Sequence, residues 1–314
     1  MFRREGPETL AAYVRDGYGL IRDVKPSTIG QYQIAADLFD RWAGHAVRLD
    51  ELDEKSVSGF LRDYAVHHAP DTVRAKRNSL LAVWRGASDD GLCDEPIGRR
   101  VRRCSVPESV VEAWTKGELE QLLEAAGKLP RQHKCGLKRS EWWPLAIRVA
   151  WDSGLRWADQ VEIPVSAVRP DGLVSVRQNK TGKVSTFQFS KSTMEALRAS
   201  LERCPRSLVI PWPSSGETFR DQVATLVRKS GVRAGTWKWI RRGSGSDVEL
   251  QQRGAGHEHL GNTRQVFEKN YACKSIIGRS IPSPRELVVR AFARDQQMRL
   301  FGGDPEPPES VSAG

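Results

Sequence analysis

The sequence predicts a mainly α-helical protein with one small antiparallel β-sheet, an α+β fold class. Across the first hundred residues, apolar side chains recur at steps of three or four, the period of one buried helix face. In the second half, two β-rich runs flank the turn Asn179-Lys180-Thr181-Gly182, a pattern typical of a β-hairpin. Helical patterns resume after this hairpin, and the sequence shows no internal repeat.

Breakers and caps divide the first hundred residues into short helices. A weak helix over 10–14 is expected to stop at two glycines, because glycine gains the most freedom outside a helix. The second helix is expected to take a serine as its N-cap and to carry an apolar face that ends at Trp42. The residues behind this division are Gly17, Gly19, Ser27, Asp53 and Pro70.

Two basic stretches follow in this part of the chain. The helix that starts at Pro70 is expected to carry four polar or basic side chains opposite its apolar face, either as solvated charge or as phosphate contacts. The connector after it would follow a polyanion backbone without reading sequence. The helix residues are Thr72, Arg74, Lys76 and Arg77, and the connector residues are Arg99, Arg100, Arg102 and Arg103.

The pattern indicates a helical unit over 1–88, a basic linker over 89–113, a second unit over 114–301 and a tail over 302–314. The tail is rich in Pro, Gly and acidic residues and is expected to be disordered. The second unit opens with Thr115 and Glu118 at capping-box spacing. A last helix is expected from Pro284 to Leu300. Its apolar stripe consists of Leu287, Val288, Ala291 and Phe292.

Composition restricts the class of partner. The 314 residues carry a formal charge of +10 and a pI near 9.6, which favours nucleic acid before an anionic membrane. Five cysteines form no CxxC pair, which indicates a reducing compartment with neither a disulfide framework nor a zinc site. No apolar run approaches a membrane span and the N-terminus lacks a secretory signal, so a cytoplasmic protein is predicted.

Four separated pieces of the second unit carry residue types that suit phosphate chemistry. Arg156 follows Ser-Gly-Leu and has Asp159 three residues on, an arrangement suited to a guanidinium held by a carboxylate. Lys180 occupies the hairpin turn. The third piece is Lys-Trp-Ile-Arg-Arg, and the fourth is Leu-Gly-Asn, whose Asn262 precedes Tyr271 by nine residues. Each piece alone has a common structural explanation, so their order and spacing carry the argument.

These four pieces, in this order, resemble the catalytic domain of the tyrosine recombinase (phage integrase) family. The family pattern is a G-L-R arginine with an acid three residues on, a hairpin lysine, H-x-L-R-R, then L-G-H and a tyrosine about nine residues later. The resemblance covers roughly residues 8–300 and implies an all-helical, SAM-like core-binding domain before a catalytic domain. It implies catalytic roles for Arg156, Lys180, Lys238, Arg241, Asn262 and Tyr271, support by Asp159, and DNA contact by Arg242.

Two positions depart from the family pattern. Lys238 stands where H-x-L-R-R has its histidine, and Asn262 stands where L-G-H has its own. An alignment of His257 with the second histidine would leave fourteen residues before Tyr271, so Asn262 takes the position. Both replacements keep a hydrogen-bond donor, but they put in doubt a histidine that accepts the tyrosine proton. The pair His257 and His259 lacks a third ligand, which disfavours a metal site.

The resemblance implies a site-specific recombinase that cleaves and rejoins double-stranded DNA through a 3′-phosphotyrosyl intermediate, with no cofactor and no metal. The arginines would bind the phosphate oxygens, and the hairpin lysine would protonate the leaving 5′ oxygen. The tyrosine would be the nucleophile. A homo-tetramer on paired DNA sites, in the bacterial cytoplasm at the nucleoid, is also implied.

Three alternatives stay open at this point. The replaced histidines would fit a catalytically impaired DNA-binding relative of the family. A type IB topoisomerase-like enzyme shares the arginine–lysine–tyrosine chemistry but acts as a monomer. The apolar stripe of the last helix discriminates here, since a recombinase would dock it on a neighbouring protomer. An unrelated helical RNA-binding protein would leave the ordered motifs a coincidence.

Overall fold

The computed structural model describes residues 8–278, and the chain forms two compact units divided between Ser109 and Val110. The predicted fold class is confirmed, since helices dominate and the described residues contain one two-stranded antiparallel sheet. Within the same residues, no helix is long and apolar enough to cross a membrane. The helix predicted over 284–300, its apolar stripe and the tail over 302–314 lie outside the described residues.

All helices and turns of regular structure in the described part of the first unit precede the connector, which has no regular secondary structure. The core of this unit is formed by the apolar faces of its two longest helices, α3 (Pro26–Ala43) and α5 (Pro70–Asp89), together with α4 (Glu54–Tyr64). Phe39, Phe60 and Leu80 are almost completely buried there. The elements are α1 (Leu10–Tyr13), a π-helical turn (Val14–Tyr18), α2 (Gly19–Ile21), α3 (Pro26–Ala43), a 3-10 turn (Leu49–Glu51), α4 (Glu54–Tyr64) and α5 (Pro70–Asp89).

Two boundary predictions in this unit are wrong and one is confirmed. The chain stays helical past Gly17 and Gly19, because the π-helical turn places Tyr18 in the core against other aromatic rings. Lys25, not Ser27, is the N-cap of α3, since Pro26 takes the first helical position, where it needs no N–H partner. Asp53 caps α4 as predicted, with its carboxylate accepting from two backbone N–H groups.

The basic face predicted for α5 is wrong at Lys76. This residue is only 8% exposed, because its position, three after Val73 and four before Leu80, lies on the apolar face of the helix. The predicted linker is also partly packed on the first unit. Val101 is 1% exposed, and Arg77 donates to the carbonyl of Arg102 at 3.0 Å.

The second unit surrounds α7 (Arg139–Ser153), whose tryptophans Trp142 and Trp143 are buried in a large aromatic core. The predicted capping box is present at the start of α6, where Glu118 also pairs with Arg233 at 2.7 Å. The elements are α6 (Lys116–Gly127), α7 (Arg139–Ser153), α8 (Trp157–Gln160), a 3-10 turn (Val165–Ala167), β1 (Leu173–Arg177), β2 (Val184–Gln188), α9 (Lys191–Arg203), α10 (Gly216–Ser230), α11 (Lys238–Gln251), α12 (Gly256–His259), α13 (Arg264–Asn270) and α14 (Lys274–Ile277).

The predicted hairpin is present, and its two strands pair in one antiparallel register. Leu173 pairs with Gln188 at the open end, and Arg177 pairs with Val184 next to the turn. Along β1, alternate residues face inward, so that Val174 is buried while Ser175 is exposed. The hairpin therefore has one face on the core and projects its turn, with Lys180, away from it.

Candidate active site

Arg156 is presented by a sharp turn between α7 and α8. Gly154 ends α7 in the left-handed region with φ of +56°, and a Cβ there would lie 2.7 Å from a side-chain carbon of Leu260. Both requirements select glycine. After this turn, the Arg156 guanidinium donates to Oε1 of Gln178 at 2.7 Å and to Oδ1 of Asn262 at 3.4 Å.

Arg241 lies on α11, one turn after Lys238, and is 3% exposed. Its guanidinium donates to the backbone carbonyls of Gly154 and Leu260, the latter at 2.7 Å, and to Oδ1 of Asn262 at 3.5 Å. Burial lowers the pKa of Arg241 to about 10, with the charge of Arg156 acting in the same direction. The group therefore keeps its charge at neutral pH, in a position fixed by the backbone.

Asn262 connects the two arginines. Its carboxamide oxygen accepts from both guanidinium groups, which brings the first and second arginine to one point. Its side-chain nitrogen Nδ2 is buried and makes no hydrogen bond to the described part of the chain. A buried donor without a partner is costly, so this N–H₂ group is suited to a phosphate oxygen.

Tyr271 follows the last residue of α13 and is 8% exposed. Its ring centroid lies 5.0 Å from Cζ of Arg241 and 5.3 Å from Nζ of Lys238. Burial alone would raise the pKa of the phenol, but the charges of Arg241, Arg156 and Lys238 prevail and lower it. A lowered pKa makes the phenolate nucleophile easier to form.

The two lysines lie on the solvent side of this cluster. Burial of the ammonium, and then the charge of Arg242, lower the pKa of Lys238, and the charge of Lys180 adds to the effect. Lys180 itself is exposed at the tip of the hairpin. The hairpin lysine therefore acts electrostatically on the same region as the two arginines and the tyrosine.

Two predicted site residues make contacts other than those expected. Asp159 does not pair with Arg156 in the described structure; its Oδ1 accepts from the backbone N–H of Asn179 at 2.7 Å. Arg242, expected to contact DNA, donates instead to the carbonyls of Asn270 and Glu112, both at 3.1 Å. Its hydrogen bond to Asn270 holds the backbone just before the tyrosine.

The predicted DNA-contacting residues of the first unit are of two kinds. Arg77 donates hydrogen bonds to backbone carbonyls of the connector, among them that of Gly98 at 2.7 Å. Lys76 is buried. Arg74 is exposed but pairs with Asp71. The other residues predicted to contact DNA are exposed and could reach a phosphate backbone: Thr72, Arg74, Arg99, Arg100, Arg102 and Arg103.

Sequence reasoning missed Gln178, which is completely buried beside Arg156. The alternation of β1 contained the signal, because positions 174, 176 and 178 face the same way and the third is polar. It also missed Ser246, whose hydroxyl donates to the carbonyl of Tyr271 at 3.3 Å and accepts from the N–H of Cys273 at 2.9 Å. This serine holds the backbone of the tyrosine.

The histidines near the site have structural contacts. Nε2 of His259 lies 2.7 Å from the hydroxyl of Ser244, and burial, followed by the charge of Arg241, lowers its pKa to about 4. His257 accepts the backbone N–H of Asn262 with its carbonyl at 2.9 Å. In the range 8–278, no group of three or more His, Cys, Asp or Glu is arranged to hold a metal ion.

Comparison with known proteins gives three similarities. The tyrosine recombinase XerD of Caulobacter vibrioides is 23% identical over 198 residues, which is 60% of this chain and 63%, or less than two thirds, of that protein. A lambda integrase dimer bound to a COC′ core site superposes with a TM-score of 0.67 at 20% identity, over 86% of this chain and 95% of that one. A lambda integrase tetramer bound to a Holliday junction gives 0.65 at 20% identity, over 82% and 78% of the two chains. No protein-family model matches the chain.

Proposed function

We propose that this chain, a member of the tyrosine recombinase family, is a site-specific recombinase or integrase that cleaves and rejoins DNA strands through a 3′-phosphotyrosyl intermediate. One observation carries the proposal. The guanidinium groups of Arg156 and Arg241 both donate to Oδ1 of Asn262. The ring centroid of Tyr271 lies 5.0 Å from Cζ of Arg241 and 5.3 Å from Nζ of Lys238. A phosphodiester at this point would have a nucleophile and several cationic donors around it.

In the proposed step, the phenol of Tyr271 releases its proton to solvent, its oxygen forms a bond to phosphorus, and the bond between phosphorus and the 5′ oxygen breaks. Arg156, Arg241 and the amide of Asn262 bind the non-bridging oxygens as negative charge builds there. Lys180 gives a proton to the departing 5′ oxygen. The phosphotyrosyl ester keeps the bond energy, so a 5′ hydroxyl of another strand restores the diester without ATP.

The departures from the family pattern are compatible with activity. Lys238 supplies a cation 5.3 Å from the tyrosine ring, and the lowered pKa of the phenol reduces the need for a histidine that accepts its proton. Asn262 supplies a buried N–H₂ donor. This geometry favours an active enzyme over a relative that only binds DNA.

The first unit is proposed to be the core-binding domain, and the exposed arginines of the connector are proposed to follow the DNA backbone. The lambda integrase tetramer on a Holliday junction supports a working assembly of four copies on paired sites of double-stranded DNA. Such an enzyme would act in the bacterial cytoplasm, at the nucleoid. Size measurement by light scattering, with one site and with two sites per DNA, would separate a tetramer from a monomeric topoisomerase-like enzyme.

The direct test is covalent trapping. The protein is incubated with genomic fragments that span its own locus, adducts are captured, and the attached DNA is sequenced. The expected product is protein joined to a 3′ phosphate at one recurrent sequence. Tyr271→Phe should abolish the adduct and leave DNA binding intact. An adduct that survives this substitution, or a wild type that forms none on any fragment, would contradict the proposal.

A further inference from the structure

Gln178 is a completely buried polar residue between the end of β1 and the turn that carries Lys180. Its side-chain oxygen accepts from Nη1 of Arg156 at 2.7 Å and from the hydroxyl of Thr181 at 3.3 Å. Its side-chain nitrogen donates to the hydroxyl of Ser185, on β2, at 2.6 Å. One carboxamide therefore links the first arginine to both arms of the hairpin.

The backbone around Gln178 ties the same elements together a second time. Its N–H donates to the carbonyl of Lys183, and its carbonyl accepts from the N–H of Gly182, both at 2.8 Å, which closes the turn. The next N–H, that of Asn179, donates to Asp159, which lies on α8 three residues after Arg156. The hairpin and the segment that carries the arginine are thus joined at two points.

We propose that Gln178 is a positioning residue that couples Arg156 to the Lys180 hairpin, so that arginine and lysine reach the phosphate in one fixed relation. The inference rests on the proposed function, in which Arg156 binds the phosphate and Lys180 protonates the leaving oxygen. A carboxamide suits this task because it offers an acceptor to the guanidinium and a donor to the serine at once. It is also neutral, so it leaves the charge of Arg156 available to the phosphate, whereas a carboxylate would pair with it.

The two halves of this coupling can be separated by the leaving group. Replacement of the 5′ bridging oxygen by sulfur gives a thiolate that leaves without a proton, while the phosphate oxygens still need the arginines. On the DNA segment captured by trapping, Lys180→Ala should therefore recover on the sulfur substrate, and Arg156→Ala should not. Gln178→Ala should cleave ordinary DNA about 10²-fold slower and regain about tenfold with sulfur, because it disturbs both groups.

Three further variants sharpen the test. Ser185→Ala breaks only the hairpin side, so its smaller loss should disappear with sulfur. Gln178→Glu should be no faster than Gln178→Ala, since its charge competes with the phosphate for Arg156. The matched control is Gln188→Ala, an exposed glutamine of the same hairpin that bonds the carbonyl of Asp171, and it should cleave at the wild-type rate. A Gln178→Ala protein that cleaves ordinary DNA normally, or that loses equally on both substrates, would overturn the coupling.

Hydrogen exchange tests the coupling without DNA. Amides over 178–185 should exchange faster in Gln178→Ala and in Arg156→Ala than in wild type. In Gln188→Ala they should exchange at the wild-type rate. If Arg156→Ala leaves this exchange unaltered, the arginine and the hairpin are independent and the proposal is wrong. Failure of the wild type to cleave either substrate would instead count against the proposed function, because the exchange result does not depend on activity.

Discussion

The basic residues of the two units are held in different ways. In the second unit, Arg241 is fixed by backbone carbonyls and Arg156 by two carboxamide oxygens, and both meet at Asn262. In the first unit, the arginines of the connector, such as Arg99 and Arg103, are exposed. Transition-state stabilisation requires donors fixed before the reaction, whereas neutralisation of a DNA backbone tolerates mobile charge. Under the proposed function, the fixed arginines of the second unit would serve the chemistry and the exposed arginines of the connector would bind the DNA backbone.

Substitution of two adjacent arginines gives the largest test of this contrast. Arg241→Ala should reduce cleavage at least about 10³-fold, because it removes the buried, charged donor that is proposed to bind the phosphate. Arg242→Ala removes hydrogen bonds to the carbonyls of Asn270 and Glu112 and a charge that acts on Lys238, but no fixed donor of the candidate site, so it should lower the melting temperature and slow cleavage by less than about tenfold.

The rates are compared on the captured DNA segment at saturating protein, and thermal unfolding and DNA affinity check that each variant is folded. Equal losses of cleavage in the two variants would mean that burial and fixation do not distinguish the catalytic arginine from its neighbour.

The positions that depart from the family pattern come next in size. Lys238→Ala and Asn262→Ala should each slow cleavage up to about 10²-fold, comparable to loss of one preorganised donor. Restoration of histidine at both positions should retain or raise the rate. A wild type without activity beside an active double-histidine variant would identify the natural protein as an impaired relative.

The order and spacing of the motifs were enough to predict which residues lie together in the candidate site, although their roles stay predictions. Gly154, Arg156, Arg241 and Tyr271 are local to their motifs, and each is presented by a turn or helix that the sequence specifies. The hydrogen bonds of Asp159 and Arg242 could not be predicted in this way, because they depend on which distant backbone groups need partners. In the fold, the three-to-four-residue spacing of apolar side chains was enough to predict that the main helices exist.

The face of Lys76 shows where sequence reasoning failed in the first unit. The charge of Lys76 predicts a place on the polar face of α5, but its spacing from Val73 and Leu80 places it on the apolar face, where it is buried. The helical spacing of Lys76, and not its charge, determines which face of the helix it occupies.

If the exposed arginines of the connector bind the DNA backbone, their loss should weaken DNA binding in a salt-dependent way that does not depend on sequence. Replacement of Arg99, Arg100, Arg102 and Arg103 by alanine should weaken binding to all sequences alike and flatten the dependence of log K on log salt, by about 0.9 for each phosphate that is no longer neutralised. The matched control is Arg77→Ala, which should destabilise the first unit because its hydrogen bonds to backbone carbonyls are removed. Filter binding over a salt series measures the DNA affinity and its salt slope for the fourfold variant and for Arg77→Ala. An unchanged slope in the fourfold variant would exclude the connector from the DNA interface.

The field of the cations at Tyr271 predicts a pH effect of moderate size. Because Arg241, Arg156 and Lys238 lower the pKa of the phenol, Lys238→Ala should raise it and move the rise of the cleavage rate to higher pH. Ultraviolet difference titration of each protein against its Tyr271→Phe counterpart isolates this phenol from the other four tyrosines. Titration at the same pH with and without Lys238 would show that the lysine has no electrostatic part in activation.

The smallest effect concerns Lys76, the buried member of the predicted basic face. Burial lowers its pKa, so the unfolded chain binds more protons than the folded one between the lowered value and the ordinary value near 10.5. Stability should therefore rise with pH across that window, and below it the wild type bears the full cost of a buried ammonium. Lys76→Met fills the same space without charge and should stabilise the protein at neutral pH, with the gain fading as the pH approaches 10.5. DNA affinity and its salt slope should stay unchanged, since a buried lysine does not release counterions from a phosphate. Urea unfolding at several pH values and the same filter-binding series measure the two outcomes. A loss of affinity in Lys76→Met, equal to that of one connector arginine, would show that this lysine swings out to the DNA and that burial in the free protein does not separate grip from packing.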